Sequence, residues 1–216
     1  LPYLMEYPYE CSEQTFSRYY SNALAQHITQ SNPRIEQVFK QWKSSDALLS
    51  NLEKNQELKS LILEETPWVR DAASEQEQKK RIALLFDANL MRQSLETSLN
   101  KLVQMQYPSG AFPWFEGGRA NRYSTQHIVT GFGHLQKLGV TTPNPAIQNM
   151  LQKALQYLDQ EFVKEYQELK KYTKGKKAEM AKNHLSYMQI QYLYMRSFFK
   201  DAKPSRTVTE ATSYYM

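Results

Sequence analysis

The stretch "EQEQKKRIALLFDANLMRQSLETSLNKLVQMQ", residues 75–106, limits the folds open to this chain more than any other feature. Ile82, Leu85, Phe86, Leu90, Leu95, Leu99, Leu102 and Met105 recur at three- and four-residue spacings, which line one face of a long helix. The rest of the chain is similar. Phe16, Tyr19, Tyr20, Ala23, Leu24 and His27 mark a helical face over residues 15–30. A second helix is expected from Pro33, with Ile35, Val38, Phe39 and Trp42 inward, and weaker segments follow it up to Pro67. Further helices are expected from Asn121 to a C′ glycine at Gly139, from Pro145 to Tyr172, over residues 179–199, and after Pro204. With only 7 Gly and 9 Pro and few alternating β-branched runs, no strand is expected. The reading is all-α, about eight helices joined mostly by short turns. A bundle and helical hairpins set around a ring both fit, and no fixed repeat period favours a solenoid.

The 216 residues are read as one domain, and the two Pro and three Gly of "YPSGAFPWFEGG" as an inter-helix bend at 107–118. Lys and Arg number 27 against 22 Asp and Glu, a net charge of +5 with no basic stripe interleaved with aromatics, so nucleic acid is not an expected partner. No apolar run approaches the ~20 residues that span a bilayer, so membrane insertion is not expected either. The chain opens on "LPYLMEYPYE" and reads as a piece of a longer protein. The four His and one Cys lack the close spacing of a metal site, and no glycine-rich phosphate cradle occurs, so no cofactor is expected.

The sole cysteine stands in "YPYECSEQTFSRYY". Cys11 and Gln14 are three residues apart, a spacing that sets two side chains together at a helix start. Attack of the Cys11 thiolate on the Gln14 carbonyl would expel ammonia and close an internal thioester, a stored acyl donor. Such a bond needs a dry shelter, for which Tyr7, Tyr9 and Phe16 are candidates. By spacing alone, a buried structural cysteine is the commoner meaning of such a pair.

"YPYECSEQT" resembles the thioester motif of the alpha-2-macroglobulin and complement family, whose bacterial members carry Tyr-Pro-Tyr-Gly-Cys-x-Glu-Gln-Thr. Tyr7, Pro8, Tyr9, Cys11, Glu13, Gln14 and Thr15 match, while Glu10 stands where the family usually has Gly and Ser12 where it has Gly or Leu. "MQYPSGAFPWFEGGRANRYSTQHIV" is similar to a second element of the family, through Gln106, Gly110, Phe112, Trp114, Phe115, Thr125 and Val129. The resemblance covers roughly residues 1–140.

It implies an α/α toroid of helical hairpins, here an incomplete ring, within a fragment of a larger protein. It implies a broad-spectrum endopeptidase inhibitor that is not a turnover enzyme: a covalent trap that spends one Cys11–Gln14 thioester on an amine of a target protease. Its partners would be target proteases and other domains of the same parent chain. Its location would be exported, in the periplasm or as a cell-envelope lipoprotein. Glu13 would orient the Gln14 carbonyl or serve as a first-turn acid. His127 stands where the family tends to have an aromatic, and is kept as a catalytic candidate. Trp114 is a shielding candidate, and Trp114 and Phe115 are expected as core plugs. Two other classes stay open: a carbohydrate-active α/α-toroid enzyme, for which Glu64, Glu65, Asp71 and Asp87 offer no singled-out pair, and an inert helical scaffold.

Overall fold

The computed structural model describes residues 10–31, 34, 37, 88–140 and 144–216. The expected helix from Pro33, the segments up to Pro67, the stripe positions Ile82, Leu85 and Phe86, the carboxylates from Glu64 to Asp87, and the shielding candidates Tyr7 and Tyr9 lie outside the described residues. The fold is all-α. Its helices are α1 (Ser12–Ser31), α2 (Ala88–Met105), α3 (Arg122–Lys137), α4 (Pro145–Tyr172), α5 (Lys177–Met180), α6 (Tyr187–Arg196) and α7 (Arg206–Tyr215). Two short strands, β1 (Phe112–Pro113) and β2 (Ala120–Asn121), pair antiparallel across the bend. No helix among the described residues is long and apolar enough to cross a membrane.

The described residues belong to two units. One holds residues 21–31, 34, 37 and 88–96; the other holds 10–20, 97–140 and 144–216. In the first, Asn22, Ala23, Ala25, Thr29 and Met91 are buried, and Asn22 Nδ2 donates to Ser94 Oγ at 3.0 Å.

In the second unit, three helices begin on side-chain caps that answer otherwise orphaned N–H groups. Asn121 Oδ1 accepts from the Ser124 N–H at 2.9 Å, Asn144 Oδ1 from that of Ala146 at 2.8 Å, and Ser205 Oγ from that of Val208 at 3.3 Å. Gly139, at φ +70°, ends the α3 segment as expected. Along α4 the buried residues Ile147, Met150, Leu151, Ala154, Leu155, Leu158, Phe162 and Tyr166 follow the helical period. α4 packs against α3 and α7, and α3 packs against α6. Hemmed in this way, α3 buries nine of its sixteen residues, among them Gly131 and Phe132. A Cβ on Gly131 would lie 2.3 Å from the Phe16 ring, so glycine admits the start of α1 onto α3.

One expected helix is broken. The 179–199 stretch folds as α5, an irregular link that holds His184, and α6. Polar side chains halt the helix there. His184 Nε2 bonds the Glu179 carbonyl at 2.8 Å and Asn183 Oδ1 takes the Leu185 N–H at 2.8 Å. Ser186 and Gln189 then form a capping box that starts α6 afresh.

Candidate functional site

The site is built where α1 begins. Cys11 occupies the N-cap position: its carbonyl accepts the Thr15 N–H at 2.9 Å, the first i to i+4 bond of the helix. Its Sγ accepts from the Gln14 N–H at 3.4 Å, and Gln14 Oε1 accepts from the Cys11 N–H at 3.5 Å. The pair therefore copies a capping box, with a thiol in place of the usual hydroxyl. The bond to oxygen is long, and the bond to sulfur meets a weak acceptor. Together they lay the sulfur and the side-chain amide against the same short stretch of backbone. Cys11 is 3% exposed, whereas Gln14 is half-buried.

The chain on either side is tied down. Glu10 pairs with Arg18 Nη1 at 2.6 Å and with Lys101 Nζ, so its carboxylate is neutralised by two cations rather than facing the thiol unpaired. Ser12 is fully buried; its N–H donates to the Trp114 carbonyl at 3.0 Å and its hydroxyl to the Pro113 carbonyl at 2.5 Å. The two elements that sequence reading singled out about a hundred residues apart are thus in direct contact.

The bend that supplies those carbonyls is itself fixed. Gln106 Nε2 donates to the carbonyls of Gly110 at 3.0 Å and Met150 at 2.9 Å. Gly110 has φ +92°, and a Cβ there would lie 2.1 Å from the Lys153 carbonyl oxygen, so no other residue fits. The Phe112 N–H donates to Thr125 Oγ1 at 2.9 Å, and that hydroxyl donates to the Asn121 carbonyl at 2.7 Å. Phe112 is fully buried, whereas Trp114 is 41% exposed and Phe115 57%. The expectation of Trp114 and Phe115 as core plugs is therefore corrected. Past Pro113 the chain leaves the strand for a tight turn, closed by the Gly118 N–H on the Phe115 carbonyl at 2.9 Å, which carries both rings outward.

Aromatic rings line the flank. Phe16, 2% exposed, lies 5.1 Å from Phe132 and meets His127 edge-on at 5.9 Å. His127 stacks on Tyr123 at 6.4 Å, and Tyr123 on Trp114 at 6.3 Å. His127 Nε2 lies 3.9 Å from Glu13 Oε1, which also accepts the Ser17 hydroxyl at 2.9 Å. Burial lowers the His127 pKa below its ordinary value; the Glu13 charge works against that shift and His134 adds to it. The imidazole is therefore neutral near pH 7. Of the residues expected at the site, Cys11 pairs with Gln14, Glu13 and Phe16 each meet His127, and Trp114 reaches the motif through its carbonyl. His134 bonds the Tyr194 hydroxyl at 2.9 Å instead.

Sequence reading missed Ser12 as a contact, and Tyr123 as the ring between Trp114 and His127. Ser12 carried no signal, because its partners lie 101 residues away and offer only backbone. Thr15 Oγ1 is buried and finds no hydrogen-bond partner among the described residues. Nor do the described residues contain a His, Cys, Asp and Glu group able to hold a metal ion. Comparison with known proteins finds no matching family model, no matching curated protein and no matching solved structure.

Proposed function

We propose that this chain is the covalent-trapping module of a broad-spectrum endopeptidase inhibitor, carrying an internal thioester between Cys11 and Gln14. The observation that carries the reading is the reciprocal pairing of the two residues, with Sγ on the Gln14 N–H and Oε1 on the Cys11 N–H. In closure, Sγ attacks Cδ of Gln14, the C–N bond breaks, and ammonia leaves with the thiol proton. The Cys11 N–H stays in place to polarise the new carbonyl, and the Gln14 N–H stays on the sulfur that later departs. In trapping, an amine of the target attacks Cδ, the C–S bond breaks, and the amine proton passes to Sγ. The product is an amide at position 14 and a free Cys11 thiol. One molecule acts once.

Phe16 supplies part of the dry wall such a bond requires, and Glu13 and His127 sit on its flank. The toroidal, unclosed ring, the partnership with proteases and further domains of a parent chain, and an exported, periplasmic or lipoprotein location belong to the same proposal. They rest on the motif resemblance. The pairing itself favours a second reading, a helix cap with no acyl chemistry. The two part at Cys11→Ser, since serine caps a helix well but forms no thioester.

A fluorescent primary amine, followed by peptide mass mapping, tests the proposal. Label is expected on the peptide holding Gln14, at one per chain, and is expected to vanish in Cys11→Ser while the melting temperature is kept. Label spread over many glutamines, or unchanged in Cys11→Ser, would overturn it.

A further inference from the structure

Ser12 stands where the resembled motif has Gly or Leu, and it makes two hydrogen bonds outside its own helix. A serine at the first position of a helix ordinarily leaves its hydroxyl to water or to its own turn. Here the side chain is fully buried, and both of its donors reach consecutive carbonyls of a distant segment, Trp114 at 3.0 Å and Pro113 at 2.5 Å. Those acceptors do not drift. One residue earlier, the Phe112 N–H is held by Thr125, β1 is paired with β2, and Gln106 anchors the bend to the Met150 carbonyl.

By contrast, the bond from the Cys11 N–H to Gln14 Oε1 is long at 3.5 Å, and the Gln14 N–H meets a sulfur, a weak acceptor, at 3.4 Å. They lie in the first turn, where helices fray. A pair so weakly joined does not maintain its own geometry. Ser12, between its members, is the residue that does.

We propose that Ser12 is the positioning residue of this site, pinning the first turn of α1 to β1 so that Cys11 Sγ and the Gln14 amide stay within bonding reach. The chemical consequence rests on the acyl-transfer reading above; the pinning does not. Loss of the hydroxyl leaves the Pro113 carbonyl without its donor and frees the turn to open, which separates sulfur from amide and admits water to both.

The test compares Ser12→Ala, which drops the hydroxyl, with Ser12→Thr, which keeps it. Thr173→Val serves as control, because it removes a buried hydroxyl, donating to the Leu169 carbonyl, that takes no part in holding β1 or the start of α1. Two quantities are read on the full chain: the fraction in which the Gln14 amide has been consumed, by peptide mass, and the rate of Cys11 alkylation by iodoacetamide after methylamine has opened any ring. Ser12→Ala is expected to lower the first and raise the second, each by about fivefold, in line with one hydrogen bond lost. Ser12→Thr is expected to restore both. Thr173→Val is expected to lower the melting temperature while moving neither quantity. Equal effects of Ser12→Ala and Thr173→Val, or none from Ser12→Ala, would overturn the assignment. Should even the unaltered chain keep its Gln14 amide, the acyl-transfer reading fails by itself, and the alkylation rates still decide the role of Ser12.

Discussion

Two polar clusters in the same unit are built on opposite terms. Between α4 and α6, Asp159 accepts from the Tyr192 hydroxyl at 2.6 Å and from Arg196 Nε and Nη2 at 3.1 and 3.2 Å. Arg196 Nη1 donates to the Phe199 carbonyl at 3.0 Å, and Tyr192, fully buried, stacks on Phe162 at 4.0 Å. Every bond there lies within ordinary hydrogen-bond length, and the two charges meet each other. At the start of α1 the bond from Cys11 to Gln14 Oε1 is long, the return bond meets a sulfur, Gln14 is half-buried, and Thr15 buries a hydroxyl without a partner among the described residues. The first cluster spends its polar groups on holding helices together. The second keeps Cys11 and Gln14 close but weakly joined, as the proposed acyl transfer would require.

The largest expected effect lies in the first cluster. Asp159→Ala would strand a guanidinium and a buried phenol, and should cost about 3 kcal/mol of stability. Urea unfolding measures this, and amine labelling at position 14 should survive in the fraction that stays folded. Equal loss of labelling and stability would mean that the two clusters are not separate.

Smaller effects should divide the pH dependence of stability between the clusters. Burial first, and then the Asp159 charge, raises the Tyr192 pKa well above its ordinary 10.0. In the unfolded chain this phenol ionises near pH 10, so its contribution is complete below that pH and is lost as pH rises further. His127 has the opposite sign of charge and of shift. Its pKa is lowered from 6.5, so its contribution is present above that value and lost as pH falls below it. His127 is partly exposed, which keeps the second effect the smaller one. Thermal melts from pH 5 to 11 should show Tyr192→Phe flattening only the alkaline limb and His127→Gln only the acid limb.

Much of this was legible in the sequence. The limits of α4, and the start and C′ glycine of α3, follow from apolar spacing bounded by Asn121, Gly139, Asn144 and Pro145, which are local signals. The cysteine–glutamine pairing was legible for the same reason. What escaped was non-local or competing. Apolar residues keep a helical spacing across the link at 181–186, and the Ser186 to Gln189 capping box that breaks it looks like ordinary polar sequence. The outward course of Trp114 and Phe115 depends on a turn after a two-residue strand, which aromatic character alone does not reveal. The Ser12 tether depends on carbonyls, and carbonyls have no letter in the sequence.

The fate of the Gln14 side chain tests the central claim most directly. Freshly purified protein should be weighed intact and as peptides, with and without methylamine. The account predicts that Gln14, alone among the glutamines, has lost its amide. The chain is then lighter by one ammonia and takes up one methylamine, or it carries a glutamate at position 14 where water reached the bond first; in Cys11→Ser neither occurs. A mass equal to the plain sequence, with the Gln14 amide intact, Cys11 freely alkylated and no methylamine gained, would contradict it.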